Sequence, residues 1–108
     1  IDGVLVTNIG PYAFNGVGLD YVTIPSSVTS IGAYAFASNK LTSITIPGGI
    51  QFIGPDAFRF NQLVRIIIGS GVTIGERMLT TNQSFRDTYY ISGAGTYIGT
   101  QTGTWTKQ

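Results

Sequence analysis

The side chains that most often carry out chemistry are scarce in this 108-residue chain, and histidine and cysteine are missing altogether. Without them there is no Ser-His or Cys-His pair to activate a nucleophile, and no imidazole or thiolate to hold a metal. Five carboxylates remain, Asp2, Asp20, Asp56, Glu76 and Asp87. Two of them would serve a glycoside hydrolase if they faced each other across about 5–10 Å of cleft. Their places argue for ion pairs instead, since Asp56 and Arg77 are 21 residues apart and Arg65 and Asp87 are 22 apart, one period of the repeat described below. Exposed pairs of that kind are worth about a few tenths of a kcal/mol and do no chemistry. No catalytic, cofactor-binding or metal-binding residue is assigned, and the chain is read as a non-enzyme.

Two glycine-rich stretches, Gly69-Ser70-Gly71 and Ser92-Gly93-Ala94-Gly95, lack the strand-to-helix context of a phosphate-binding loop and read as turns. Asn82-Gln83-Ser84 fits the N-glycosylation pattern, but its Asn also falls at a repeat position where a loop-bonding role is favoured. Hydrophobic residues make up 43% of the chain and charged ones 10%, against roughly 25% charged in soluble globular chains. With 15 glycines and abundant Ile and Thr, this is a composition for short strands and tight turns. A net charge of +1 leaves no footprint for nucleic acid or an anionic membrane. Apolar runs such as Ile66-Ile67-Ile68 are too short to insert into a bilayer. Absence of cysteine removes disulfide staples and is compatible with either side of the cell membrane.

Elements that could position these residues emerge when the chain is laid over itself. One phrase recurs at Ile9-Gly10-Pro11-Tyr12-Ala13-Phe14, Ile31-Gly32-Ala33-Tyr34-Ala35-Phe36 and Ile53-Gly54-Pro55-Asp56-Ala57-Phe58, with a degenerate copy at Ile74-Gly75-Glu76-Arg77-Met78-Leu79. The first three are 22 residues apart and the last follows by 21. A second phrase keeps the same step: Leu19-x-x-Val22-x-Ile24-Pro25, Leu41-x-x-Ile44-x-Ile46-Pro47 and Leu63-x-x-Ile66-x-Ile68-Gly69, with a weaker copy from Phe85 to Tyr90. Val6, Val28, Ile50 and Val72 form a third column.

Alternation in the second phrase is that of a half-buried strand, which Pro25 and Pro47 then stop because proline has no ladder N–H. Segments Tyr21–Ile24, Ser43–Ile46, Arg65–Ile68 and one near Tyr89 are expected to form one parallel sheet, each a period from the next. Gly10, Gly32, Gly54 and Gly75 are expected to adopt backbone shapes closed to other residues. Phe14, Phe36 and Phe58, continued by Leu79, should stack inside. No single period can bury its own apolar residues; stacked neighbours can.

The phrase L-x-x-I-x-I-P-x-x-V-x-x-I-G-x-x-A-F-x-x-N resembles the BspA-like leucine-rich repeats of bacterial and protozoan surface proteins, over roughly residues 4 to 91. Asn39, Asn61 and Asn82 stand at that family's Asn/Cys position, where a side chain bonds loop backbone; the first repeat departs with Val17. The resemblance implies a mainly β leucine-rich-repeat solenoid with a parallel concave sheet, a cell-surface or secreted location, and adhesion to host matrix or cell-surface proteins. About four coils are expected in a single domain over 1–108, with repeats over 1–91 and a cap over 92–108. Ile1 to Val6 fits the end of a coil whose first half is missing, so either these residues improvise a cap or upstream coils precede them, and the second is the favoured expectation. The tail around Tyr89 to Ile98, with a further strand at Thr104-Trp105-Thr106, reads as an antiparallel meander closing the last coil, with Trp105 as its covering aromatic. It is similar to the aromatic, Gly-Thr-Tyr-rich tails of some members of the family.

By register, the outward strand columns hold Tyr21, Ser43, Arg65, Asp87 and Thr23, Thr45, Ile67, Tyr89. Thr and Ser suit a bland sheet face, whereas Tyr and Arg are enriched at protein-binding hot spots and Ile67 is an exposed apolar. Tyr21, Arg65, Ile67 and Tyr89 are therefore the candidate concave patch of a protein-binding adhesion module. A structural spacer and cap of a longer surface protein is the rival reading, and weak carbohydrate stacking on Tyr21, Tyr89 or Trp105 a third. No cofactor is implied.

Overall fold

A computed structural model of the chain describes residues 6–75, 78–79, 85, 89–90, 92–99 and 105–108. Ile1 to Leu5, Glu76, Arg77, Asn82 and Asp87, and with them the expected Asp56–Arg77 and Asp87–Arg65 pairs, lie outside those residues. The described part is mainly β, with short strands arranged in two sheets.

The first sheet is wholly parallel. It contains β1 (Asn8–Ile9), β2 (Ser30–Ile31), β4 (Phe52–Ile53) and β6 (Thr73–Ile74), side by side in that order. Each pairs with the strand one period away: Ile9 with Ile31, Ile31 with Ile53, Ile53 with Ile74. The second sheet begins with β3 (Ser43–Ile46) and β5 (Arg65–Ile68), parallel and in register Ser43 to Arg65 through Ile46 to Ile68. It is completed by β7 (Gly95–Gly99), antiparallel to β5, and β8 (Trp105–Lys107), antiparallel to β7. Alternating burial along β3 follows the Ile-x-Ile pattern, with Ile44 and Ile46 inward and Ser43 and Thr45 outward. Pro25 and Pro47 each start a tight turn: Pro25 O accepts from Val28 N at 3.1 Å, and Pro47 O, just after β3, accepts from Ile50 N at 3.1 Å.

A third line of contact joins the Ile-Gly-x-x-Ala-Phe phrases. Tyr12 N and Phe14 N donate to Ala33 O and Ala35 O, and Tyr34 N and Phe36 N donate to Pro55 O and Ala57 O. Every second amide can point at the next repeat because Tyr12, Tyr34 and Asp56 all have φ near +60°, a left-handed shape uncommon outside glycine. Ser38 and Phe60 repeat that shape, and Gly16 holds it in the first period.

The glycines of this phrase are needed for a different reason from the one expected. Gly32, Gly54 and Gly75 have no left-handed φ; the backbone of the preceding repeat lies against them. A Cβ at Gly32 would stand 2.6 Å from Pro11 N, and one at Gly54 2.6 Å from Ala33 N. Inside, Phe36 stacks between Phe14 and Phe58 with ring centroids 5.4 Å apart on each side. Phe36 and Phe58 are buried and Leu79 continues the core, but Phe14 is 43% exposed because no further ring lies on its outer side among the described residues.

Two expected strands are absent. Residues 21–24 run beside β3 without strand pairing, and Leu19 and Val22 are only partly buried there. Tyr89, Tyr90 and Ser92 are helical, so among the described residues no fourth parallel strand is present near Tyr89. The antiparallel β7–β8 pair takes its place on the edge of β5.

Candidate functional site

β5 carries the most unusual outward residues of the second sheet. Ile66 and Ile68 face the core, which turns Arg65 and Ile67 outward. On one side, the parallel register sets Ser43 beside Arg65 and Thr45 beside Ile67. On the other, the antiparallel register sets Ile98 beside Arg65 and Thr96 beside Ile67, while Tyr97 between them is fully buried. Val64, exposed just before the strand, is held by Gly99 N donating to its carbonyl at 2.8 Å. Arg65 is thus exposed, with Ile98 beside it across the antiparallel register and Ile67 two positions along the same strand. Among the described residues the ion pair present is Arg59 with Asp56 at 3.3 Å, and Arg65 has no side-chain partner.

Of the four residues expected to form the patch, Arg65 and Ile67 are neighbours on β5, with Arg65 exposed and Ile67 partly so. Tyr21 is 80% exposed and lies in the segment on the far side of β3. Tyr89 does not belong, being only 3% exposed. Its helical backbone turns the ring inward against Phe85 and Tyr97, at 6.3 and 6.4 Å between centroids. Its hydroxyl donates to Gly69 O at 2.7 Å and accepts from Val72 N at 3.0 Å, holding the turn after β5. Tyr90 does similar work on β6, where its hydroxyl accepts from Ile74 N at 2.8 Å and donates to Ile74 O at 3.1 Å. Ile98 and Thr96 fill the place expected of Tyr89. The alternation Thr96-Tyr97-Ile98, with one large aromatic to bury, was the signal for them.

Other candidates are structural. Trp105 is buried, its indole lies across Gly99, where a Cβ would meet the ring at 2.7 Å, and its edge meets Phe85 at 5.3 Å. That is a covering role, not a sugar platform. Tyr97 donates its hydroxyl proton to Gly93 O; burial pushes this phenol above its ordinary value, and neighbouring Tyr89 adds to the shift. An open depression of about 350 Å³ between Gly71, Val72, Tyr89, Tyr90 and Gly93 has both tyrosine hydroxyls engaged with backbone. Gly71, Gly93 and Gly95 have positive φ, as turns require. Among the described residues no three of His, Cys, Asp and Glu gather as metal ligands would, and no helix is long and apolar enough to cross a membrane.

The repeat asparagines link successive repeats. Asn39 Oδ1 accepts from Leu19 N at 2.9 Å, and its Nδ2 donates to Phe14 O, Phe36 O and Ala37 O. Asn61 repeats the arrangement with Leu41 N, Phe36 O and Phe58 O. Asn39 and Asn61 therefore each bond the loop of the repeat before their own, which explains Val17: its loop is held by Asn39.

The sequence model of the family described as BspA type leucine rich repeat region matches residues 4–102, in six copies. No curated protein and no solved structure matches the chain.

Proposed function

The chain belongs to the BspA-type leucine-rich-repeat family, and from that membership we propose that it is a non-catalytic adhesion module of a cell-surface or secreted protein. Repeats of this kind are protein-interaction scaffolds. In this reading the periods are successive coils of a solenoid, about four in number, and β3 and β5 line its concave side. The ligand is a host matrix or cell-surface protein. One observation carries the choice of surface: Arg65 stands exposed beside Ile67 and Ile98, with no side-chain partner among the described residues, where the preceding repeat has Ser43 and Thr45. An unpaired guanidinium beside apolar surface is the type of group that dominates binding energy at protein interfaces.

Replacing Arg65 with Ser and Ile67 with Thr copies the preceding repeat and preserves the fold. The double variant is expected to weaken binding to an immobilised host matrix protein that the parent binds, by more than about 1 kcal/mol. A folded variant that binds as well as the parent refutes this surface. The β7–β8 pair closing the edge of β5 favours a second reading, in which these repeats are the spacer and cap of a longer surface protein and the ligand binds elsewhere.

A further inference from the structure

Tyr12 and Tyr34 hold the same place in successive repeats, 22 residues apart. Both have the left-handed backbone shape, with φ of 60° and 59°, and Tyr12 N donates to Ala33 O at 2.9 Å. Equal backbone shapes one repeat apart send the two side chains off in the same direction, and the rings stack. Their centroids are 4.9 Å apart and their planes lie within 4° of parallel. The third repeat has Asp56 at this place, so the row ends at two rings. Tyr12 is 57% exposed and Tyr34 half-buried, and neither hydroxyl has a hydrogen-bond partner among the described residues.

The rest of the surface offers an oxidant little. Sulfur is a usual target, yet cysteine is absent and the single methionine, Met78, is buried, as is the single tryptophan, Trp105. One-electron oxidation therefore falls on exposed phenols. Tyr21 is the most exposed of them, but no ring lies beside it among the described residues. Tyr89 and Tyr97 are buried, and the hydroxyl of Tyr90 is engaged with the Ile74 backbone. Tyr12 and Tyr34 bring two accessible phenols with unbonded hydroxyls into contact. We propose that this pair is a site of oxidative cross-linking, at which hydrogen peroxide and a haem peroxidase join the first two repeats through a dityrosine bond. Each phenol gives up one electron and its hydroxyl proton, and together these reduce one peroxide to two waters. The unpaired spin on each ring spreads to the Cε atoms beside the carbon that bears the oxygen. A Cε of Tyr12 bonds a Cε of Tyr34, and the hydrogen on each of those carbons passes to its phenolic oxygen, restoring both hydroxyls. Tyr12, with no ring on its outer face among the described residues, is free to slide across Tyr34 as the bond forms. The bond closes a covalent loop between residues 22 apart and braces the first repeat, whose Phe14 ring is left 43% exposed.

The test treats the 108-residue chain, dilute enough to run as a monomer, with hydrogen peroxide and a haem peroxidase. Circular dichroism verifies the fold of each variant. Dityrosine fluorescence is expected in the monomer, with the mass of two hydrogen atoms lost and the Tyr12 and Tyr34 peptides joined after proteolysis. Tyr12→Phe and Tyr34→Phe each keep a ring for the stack but remove a phenol, and each should abolish the monomer's fluorescence. Tyr21→Phe should leave it unchanged. In the linked monomer, amide exchange should slow at Phe14 and Gly16, which donate to Ala35 O and Ala37 O in the next repeat. Unchanged exchange there overturns the brace. Cross-links confined to dimers through Tyr21, a monomer link between other tyrosines, or no link at all overturns the site. So does a Tyr12–Tyr34 link that forms as readily in the chain unfolded by urea, because the folded stack would then have no part in it.

Discussion

Replacing Asn39 with Ala should damage the repeat before it more than its own. The amide side chain makes four hydrogen bonds, to Leu19 N, Phe14 O, Phe36 O and Ala37 O, at 2.9 to 3.1 Å. Two of these acceptors keep another donor when it is removed. Phe36 O still accepts from Asn61 Nδ2 at 2.9 Å, and Ala37 O from Gly16 N at 3.0 Å. What is orphaned is Leu19 N–H and Phe14 O, both in the preceding repeat. A buried amide or carbonyl left unpaired costs about 1–3 kcal/mol, less where water reaches it. With Leu19 partly buried and Phe14 exposed, the expected loss is about 2–3 kcal/mol, a large share of the roughly 5–15 kcal/mol that holds a domain of this size together. Asn61→Ala orphans the amide of fully buried Leu41 and the carbonyl of buried Phe58, so its loss should be larger. Denaturant midpoints give the magnitudes, and amide hydrogen exchange gives the location. Asn39→Ala should speed exchange at Leu19 and leave Leu41 protected; Asn61→Ala should release Leu41. Equal loss of protection at both amides in the Asn39 variant would refute the backward tie.

Other outcomes follow from the same packing. Gly54→Ala drives a Cβ to within 2.6 Å of backbone and should cost about 3 kcal/mol or prevent folding, while Gly10→Ala, with open space at its Cβ, should change the denaturant midpoint by less than about 0.5 kcal/mol. Phe36→Ala, removing a ring buried between two others, should cost about 3–5 kcal/mol in urea unfolding; an unchanged midpoint would mean the stack does not form. Tyr97 has a folded pKa above its unfolded one, so the stability it gives is present below about pH 10 and is lost as pH rises toward the folded value. Tyr97→Phe should flatten the fall of thermal stability at alkaline pH, and a parent whose stability is level there would contradict the shift.

Much of the fold was legible in the sequence because stacking repeats print their spacing on the chain. Ile9, Ile31, Ile53 and Ile74 pair as their positions in the phrase require, and Ile44 and Ile66 do the same in the second sheet. What was not legible has physical causes. The glycine of the phrase is needed for backbone approach from the neighbouring repeat, a contact that no local propensity encodes. Positive φ at Tyr34, Asp56 and Phe60 goes against residue preference and is imposed by the hydrogen bonds between repeats. The period predicts strand at Tyr89 and Tyr90, but the copy of the phrase around them is weak. Helix and buried hydroxyl bonds decide their position instead.

The candidate face lies where the repeat pattern gives out. Ser43 and Thr45 are what stacking alone would choose for an outward strand position, since hydroxyls tolerate water and neighbours equally. Arg65 and Ile67 depart from that choice on the strand where the parallel order ends and β7 enters antiparallel. Repetition constrains the inward residues at every period, because each must pack on its counterparts before and after. It leaves the outward ones free, so a departure there is not needed to stack the repeats. Reversed pairing at β7 then brings Ile98 and Thr96, residues from outside the strand phrases, onto the same surface. A surface built partly from the repeat strand β5 and partly from the antiparallel strand β7 has a composition that no single period could supply.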